Sequence, residues 1–139
     1  MKKFLFLLLL VPLLYGSDIL TEQKIYSLII HTLLPKKQEI KVWCDSDSQK
    51  KFLRSIPNVK FIDNAQDADF LLLSKNQNIQ TKGIKFVTSL KLLENGKKSV
   101  IGGFFWQKGR PNILFLRENL KKHHIKLPES MQEYIEDEI

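Results

Sequence analysis

Phe70-Leu71-Leu72-Leu73 is the stretch that most restricts what this chain can fold into. Successive side chains of a strand point to opposite faces, so four consecutive apolar residues require cover on both sides of a sheet, the pattern of strands sandwiched between helices. The flanking sequence supplies those helices. Thr21 can cap a helix with Ile25, Leu28, Ile29 and Leu33 at helical spacing, ended at Pro35. Ile40-Lys41-Val42-Trp43-Cys44 reads as a strand, and Ser46 with Gln49 as a capping box opening a helix that carries Phe52, Leu53 and Ile56. Val59 to Ile62 and Ile84 to Thr88 read as further strands, followed by a short helix from Ser89 to Glu94 stopped at Asn95-Gly96. Val100 to Gln107 and Arg110 to Leu116 form two β-rich arms around Lys108-Gly109, a hairpin whose Pro111 belongs at a sheet edge or bulge. A short helix from Glu118 to His124 and a last one opened by Pro128, with Met131, Tyr134 and Ile135 on one face, complete the chain. The expected class is α/β: a single-domain open mixed sheet flanked by helices, with a C-terminal β-hairpin followed by short helices.

The chain begins Met1-Lys2-Lys3, continues with an apolar run from Phe4 to Leu14, and then reads Tyr15-Gly16. Charge, a short greasy segment and a small residue are the three parts of a secretory signal peptide. The run contains Pro12 and is shorter than the ~20 residues that span a bilayer core. Residues 1–16 are therefore expected to be a leader and residues 17–139 one exported, periplasmic domain with no stable membrane span after cleavage; an uncleaved membrane anchor or a buried core helix is the alternative. The full chain has a formal charge of +7, and cleavage removes Lys2 and Lys3. The remaining pairs, Lys36-Lys37, Lys50-Lys51, Lys97-Lys98 and Lys121-Lys122, are separated by acids and apolar residues. Such interspersion describes a solvated surface, and no nucleic-acid partner is expected of an exported protein.

Little in the chain suggests catalysis. Cys44 is the single cysteine; it cannot staple its own chain and is expected as a packed thiol, with intermolecular pairing or redox sensing as alternatives. Asp45, Asp47 and Ser74 follow predicted strands, the end where open α/β sheets bind ligands. For Asp45 and Asp47 the expected work is helix capping, with a cation or a hydroxyl-rich ligand as the functional alternative; Ser74 enters only as part of a small-ligand site. Gly102-Gly103 lies inside a strand, so it marks a bulge or a close backbone approach rather than a phosphate loop. His123-His124 lacks the i, i+4 spacing of a helical metal pair, and His31 reads as a packing residue. No metal, cofactor, Gly-x-Ser-x-Gly elbow or other assembled catalytic set is expected. The densest feature is the hairpin, where Phe105, Trp106, Lys108 and Arg110 gather aromatic and cationic side chains of the kind enriched in binding hot spots. Trp106 and Arg110 also permit a cation–π contact.

Gly102-Gly103-Phe104-Phe105, the turn Lys108-Gly109-Arg110, Ile113-Leu114-Phe115 and the ending Leu120-Lys121-Lys122-His123-His124-Ile125-Lys126-Leu127-Pro128 together resemble the YfiR-like family of periplasmic regulators. Ile40 to Cys44 and Ala68 to Ser74 occupy the places of that family's first strand and its later buried strand. The resemblance implies a non-enzymatic domain that restrains or tunes an inner-membrane signalling protein, often a diguanylate cyclase. A periplasmic small-ligand-binding protein of a transport or sensing system, using the turns at Asp45 and Ser74, is the rival expectation.

Export with removal of the leader is expected to yield a periplasmic protein whose intact mass begins at Ser17. Recovery of full-length protein from the cytoplasm would overturn this assignment.

Overall fold

The computed structural model describes residues 14–139, so most of the expected leader lies outside the described residues. Helix α1 (Leu14–Leu33) is followed by β1 (Ile40–Cys44), α2 (Asp47–Leu53), β2 (Val59–Phe61), a 3-10 turn (Ala65–Asp67), β3 (Phe70–Leu73) and β4 (Ile84–Val87). Helix α3 (Leu90–Asn95) leads to the hairpin β5 (Gly102–Gln107) and β6 (Arg110–Leu116). The chain ends with α4 (Arg117–Lys122), a second 3-10 turn (Glu129–Tyr134) and a two-residue strand, β7 (Ile135–Glu136). The strands form one sheet in the order β2-β1-β3-β4-β5-β6-β7. All neighbours are parallel except β5 and β6, so the sheet is mixed and open as expected.

Strict alternation builds two cores. Ile40, Val42, Phe70, Leu72, Ile84, Phe86, Phe104 and Phe115 face one side, where Tyr26, Ile29, Ile30 and Leu33 of α1, Leu53 of α2, and Leu120, Leu127 and Met131 cover them. Leu71, Leu73, Val87, Phe105 and Leu116 face the other side, under Leu93 of α3 with Ala65 and Ile79 packed alongside. Phe70 to Leu73 is buried throughout, with consecutive residues assigned to opposite cores. The four-residue apolar run thus has the two-sided cover that its composition required.

Several local expectations change. Thr21 lies inside α1, which already runs from Leu14. The buried stripe of that helix is Tyr26, Ile29, Ile30 and Leu33, while Leu28 turns outward at 51% exposure. The ring of Tyr26 is the residue that sets this rotation, because it fits among Phe52, Phe86 and Phe104. Ser46 occupies the N-cap of α2 but makes no cap bond; its hydroxyl pairs with that of Ser48 at 2.8 Å. Ser89 does cap α3, accepting from the Leu92 N–H. The segment after Pro128 is a 3-10 turn rather than an α-helix, and Ile135 leaves it to pair with Phe115 in the sheet.

The hairpin is tight. Gln107 pairs with Arg110, leaving Lys108 at φ 52° and Gly109 at φ 75° as a two-residue turn, the left-handed pair that matches strand twist. Leu116 N–H bonds back across the hairpin to the Ile101 carbonyl. By alternation Pro111 has its missing N–H on the outer side, on a part of β6 that β7 does not reach. Gly102 is a close-approach residue: a Cβ there would stand 2.3 Å from the Leu114 carbonyl oxygen. Gly102→Ala is expected to cost ~1–3 kcal/mol by overpacking. Gly109→Ala has open space around it and is expected to cost ~1 kcal/mol from its backbone alone. Urea unfolding of the two variants measures the difference, and equal midpoints would contradict the packing described.

Candidate functional site

The strand order places a topological switch between β1 and β3: the chain leaves β1 outward to β2 and then returns to the other side of β1. In open α/β sheets the crevice beyond the carboxyl ends of such strands is the usual binding position. Asp45 follows β1 and Ser74 follows β3, so the fold brings together two of the three strand-end residues singled out by sequence. The Asp45 carboxylate accepts from the Ser74 N–H at 2.8 and 3.0 Å and from the Ser74 hydroxyl at 2.7 Å. It accepts further from the Lys75 N–H at 2.9 Å and the Gln77 side-chain amide at 2.8 Å. Both oxygens are therefore occupied by the chain's own loop, and Asp45 fastens the segment after β3 to the end of β1. Asp47 is not part of this arrangement; its side chain is 95% exposed and pairs with Lys50 at 3.2 Å.

Cys44 sits immediately before Asp45, free and half-buried. Burial pushes its thiol up to about 12, with Asp45 and Asp47 adding to the shift and Lys50 opposing it. At neutral pH the group is a protonated thiol, the form that neither attacks electrophiles nor binds metals. Among the described residues no three His, Cys, Asp or Glu side chains converge as a metal set. His31 bonds through Nδ1 to the Ser27 carbonyl at 2.9 Å within α1. His123 is partly buried, and burial with the neighbouring His124 holds its pKa below the usual imidazole range. It lines a depression of about 380 Å³ at the opposite end of the sheet, together with Lys82 and the ion-paired Lys37 and Asp69.

The hairpin distributes its four candidate residues over different surroundings. Phe105 is only 9% exposed and packs on the α3 side of the sheet. Trp106 is 38% exposed; its ring stands 6.0 Å from Phe104 at 72°, and its indole N–H donates to the Glu22 carboxylate of α1. Lys108 and Arg110 are exposed at the tip and, with Gln107 and Asn112, line a shallow depression of about 550 Å³. Asn112 stiffens this end by donating its side-chain amide to the Arg110 carbonyl at 3.1 Å. The cation–π contacts among the described residues join Lys50 to Phe61 and Lys51 to Phe52, not Arg110 to Trp106. Strand alternation explains the difference, because Trp106 is opposite Pro111 while Arg110 is opposite Gln107, on the other face. What remains accessible is a cationic tip with one tryptophan beside it, and Phe105 supports it from within.

Sequence reasoning overlooked Lys85. It lies in β4 between Ile84 and Phe86 and is 8% exposed, with no carboxylate among its ion-pair partners in the described residues. Burial lowers its pKa. The only sequence signal was a lysine within an otherwise apolar strand. Asn119 was missed as well: it is buried, and its amide donates to the carbonyls of Lys97 at 2.8 Å and Val100 at 2.5 Å.

No protein-family model matches the chain, and no curated protein matches it in sequence.

Asp45→Ala is expected to destabilise the fold by ~2 kcal/mol, the range for hydrogen bonds to a charged acceptor, and to speed tryptic cleavage after Lys75. Asp47→Ala removes only a surface pair and should change stability by less than ~0.5 kcal/mol. Unchanged proteolysis in Asp45→Ala would show that the carboxylate does not hold the loop.

Proposed function

We propose that this chain is a non-enzymatic regulatory or sensory domain of the YfiR-like kind, acting in the periplasm by binding and tuning a membrane-bound signalling protein such as a diguanylate cyclase or a sensor kinase. The observation that carries the reading is the hairpin tip. It projects Lys108 and Arg110 into solvent from a six-pair ladder, with Trp106 held at its side by Glu22. A rigid strand pair presenting an aromatic ring and two cations can orient an acidic partner surface without first ordering a loop.

The chemistry of the rest of the molecule supports binding over catalysis. The strand-end crevice is filled by Asp45's own hydrogen bonds, and the one thiol is kept protonated by burial. A small ligand seated at Asp45 and Ser74 would first have to displace the 74–77 loop. Among the described residues no helix is long and apolar enough to cross a membrane, so in this reading the membrane partner is engaged through the folded domain.

Lys108→Glu combined with Arg110→Glu is expected to leave thermal stability within ~0.5 kcal/mol of wild type, as for other exposed substitutions, while weakening co-purification with the cyclase or kinase from solubilised inner membranes. Wild-type recovery of that partner by the double variant would remove the hairpin as the binding surface.

A further inference from the structure

The lysine pairs that look scattered along the sequence are not scattered in space. The side-chain amide of Asn119 reaches from α4 to the carbonyls of Lys97 and Val100, pinning the turn after α3 against this helix. Lys122 Nζ lies 3.1 Å from the Lys98 carbonyl oxygen. Lys97-Lys98 and Lys121-Lys122 are thereby brought side by side. Lys121 in turn shares a groove of about 220 Å³ with Lys126 and Arg117, whose floor includes Leu120, Ile125 and Leu127 and whose lining contains no carboxylate.

None of these five lysines forms an ion pair among the described residues; the pairs present are Lys37 with Asp69, Lys50 with Asp47, and Arg117 with Asp137. Glu118, Asp137 and Glu138 border the surface beside Lys97 without pairing to it. Holding like charges together opposes folding, and here a buried asparagine, 1% exposed, enforces the proximity with two hydrogen bonds. We propose that Lys97, Lys98, Lys121, Lys122 and Lys126 form a docking surface for the phosphate headgroups of an anionic phospholipid bilayer.

Lipid headgroups fit this surface better than a protein partner for two reasons. Lysine is a compact point charge on a flexible stem and does not demand the fixed bidentate geometry of an arginine site. Mobile anionic lipids can gather beneath such charges, whereas carboxylates on a folded partner must already match their positions. The apolar floor beside Lys121 and Lys126 also suits the boundary between headgroups and acyl chains. The seven residues of β6 separate this surface from the hairpin tip, a distance of ~20 Å along the strand. Docking by the lysines therefore leaves Lys108 and Arg110 free and directed away from the bilayer.

Co-sedimentation of the full chain with vesicles of phosphatidylcholine alone, or of phosphatidylcholine mixed with phosphatidylglycerol, tests the inference without any protein partner. Its outcome is thus separate from that of the hairpin reading. The N-terminal run with Lys2 and Lys3 is common to wild type and every variant, so the comparison of the two double variants isolates the lysine surface. Binding is expected to favour the anionic vesicles and to fall as salt rises. Lys121→Gln with Lys122→Gln should weaken it about twenty-five-fold, from roughly a fivefold loss per lysine near an anionic surface. Lys41→Gln with Lys60→Gln removes the same charge from exposed positions on β1 and β2 and should leave it near wild type. Equal binding to both vesicles, or equal losses in the two double variants, would overturn the proposal. Retention on polyglutamate without affinity for anionic vesicles would assign the surface to an acidic protein instead and also overturn it.

Discussion

The ring of Tyr26 joins the first helix to three separate parts of the molecule. It lies 5.4 Å from Phe104, 6.4 Å from Phe86 and 6.2 Å from Phe52, connecting α1 to the hairpin, the middle of the sheet and α2. Phe86 extends the contact to Phe70 at 5.9 Å and Phe115 at 6.1 Å. Each well-oriented aromatic pair adds ~0.5–1.5 kcal/mol beyond its buried area, so this chain of rings is a large share of what closes one face of the sheet. Burial raises the Tyr26 phenol pKa, and the neighbouring Glu22 carboxylate adds to that, keeping the hydroxyl neutral inside the core. The same helix carries Glu22 to the Trp106 indole. The orientation of the hairpin's exposed end is consequently coupled to the packing of α1.

On the other side of the ladder, the absence of a side chain at Gly102 matters as much as the presence of aromatic rings. The backbone of β5 comes close enough to β6 that a Cβ at this position would meet the Leu114 carbonyl. That approach keeps Phe104 and Phe105 facing opposite cores in register with Ile113 and Asn112. Burial of both phenylalanines leaves the tip as the accessible part of the hairpin. Its binding character therefore comes from charge and from one half-exposed indole, not from a broad aromatic face.

The ends of the sheet divide the remaining chemistry. At the switch between β1 and β3, a position suited to ligands is spent on internal order, because Asp45 satisfies two backbone N–H groups and two side chains of the following loop. Beyond the far end of β6, Asn119 is only partly satisfied: its amide nitrogen makes two bonds while its buried oxygen has no protein partner. An unpartnered buried carbonyl is costly, and it accompanies the crowding of four lysines onto one surface.

The sequence by itself determined the elements whose signals are local. Alternation and turn chemistry are short-range properties, so β1, β3, β4 and the Lys108-Gly109 hairpin were legible, as were the short helix α3 and the two-sided burial of Phe70 to Leu73. Helical spacing left the rotation of α1 ambiguous, since Ile25, Leu28 and Ile29 satisfy the same periodicity as Tyr26, Ile29 and Ile30; only the shape of the sheet selected the second set. The pairing of Ile135 with Phe115 was hidden because a two-residue strand carries no period of its own. The meeting of Asp45 with Ser74 and of Lys98 with Lys122 joins residues 29 and 24 positions apart. Such long-range contacts arise from strand order and helix docking, so only the tertiary structure decided which charges became neighbours and which were already taken.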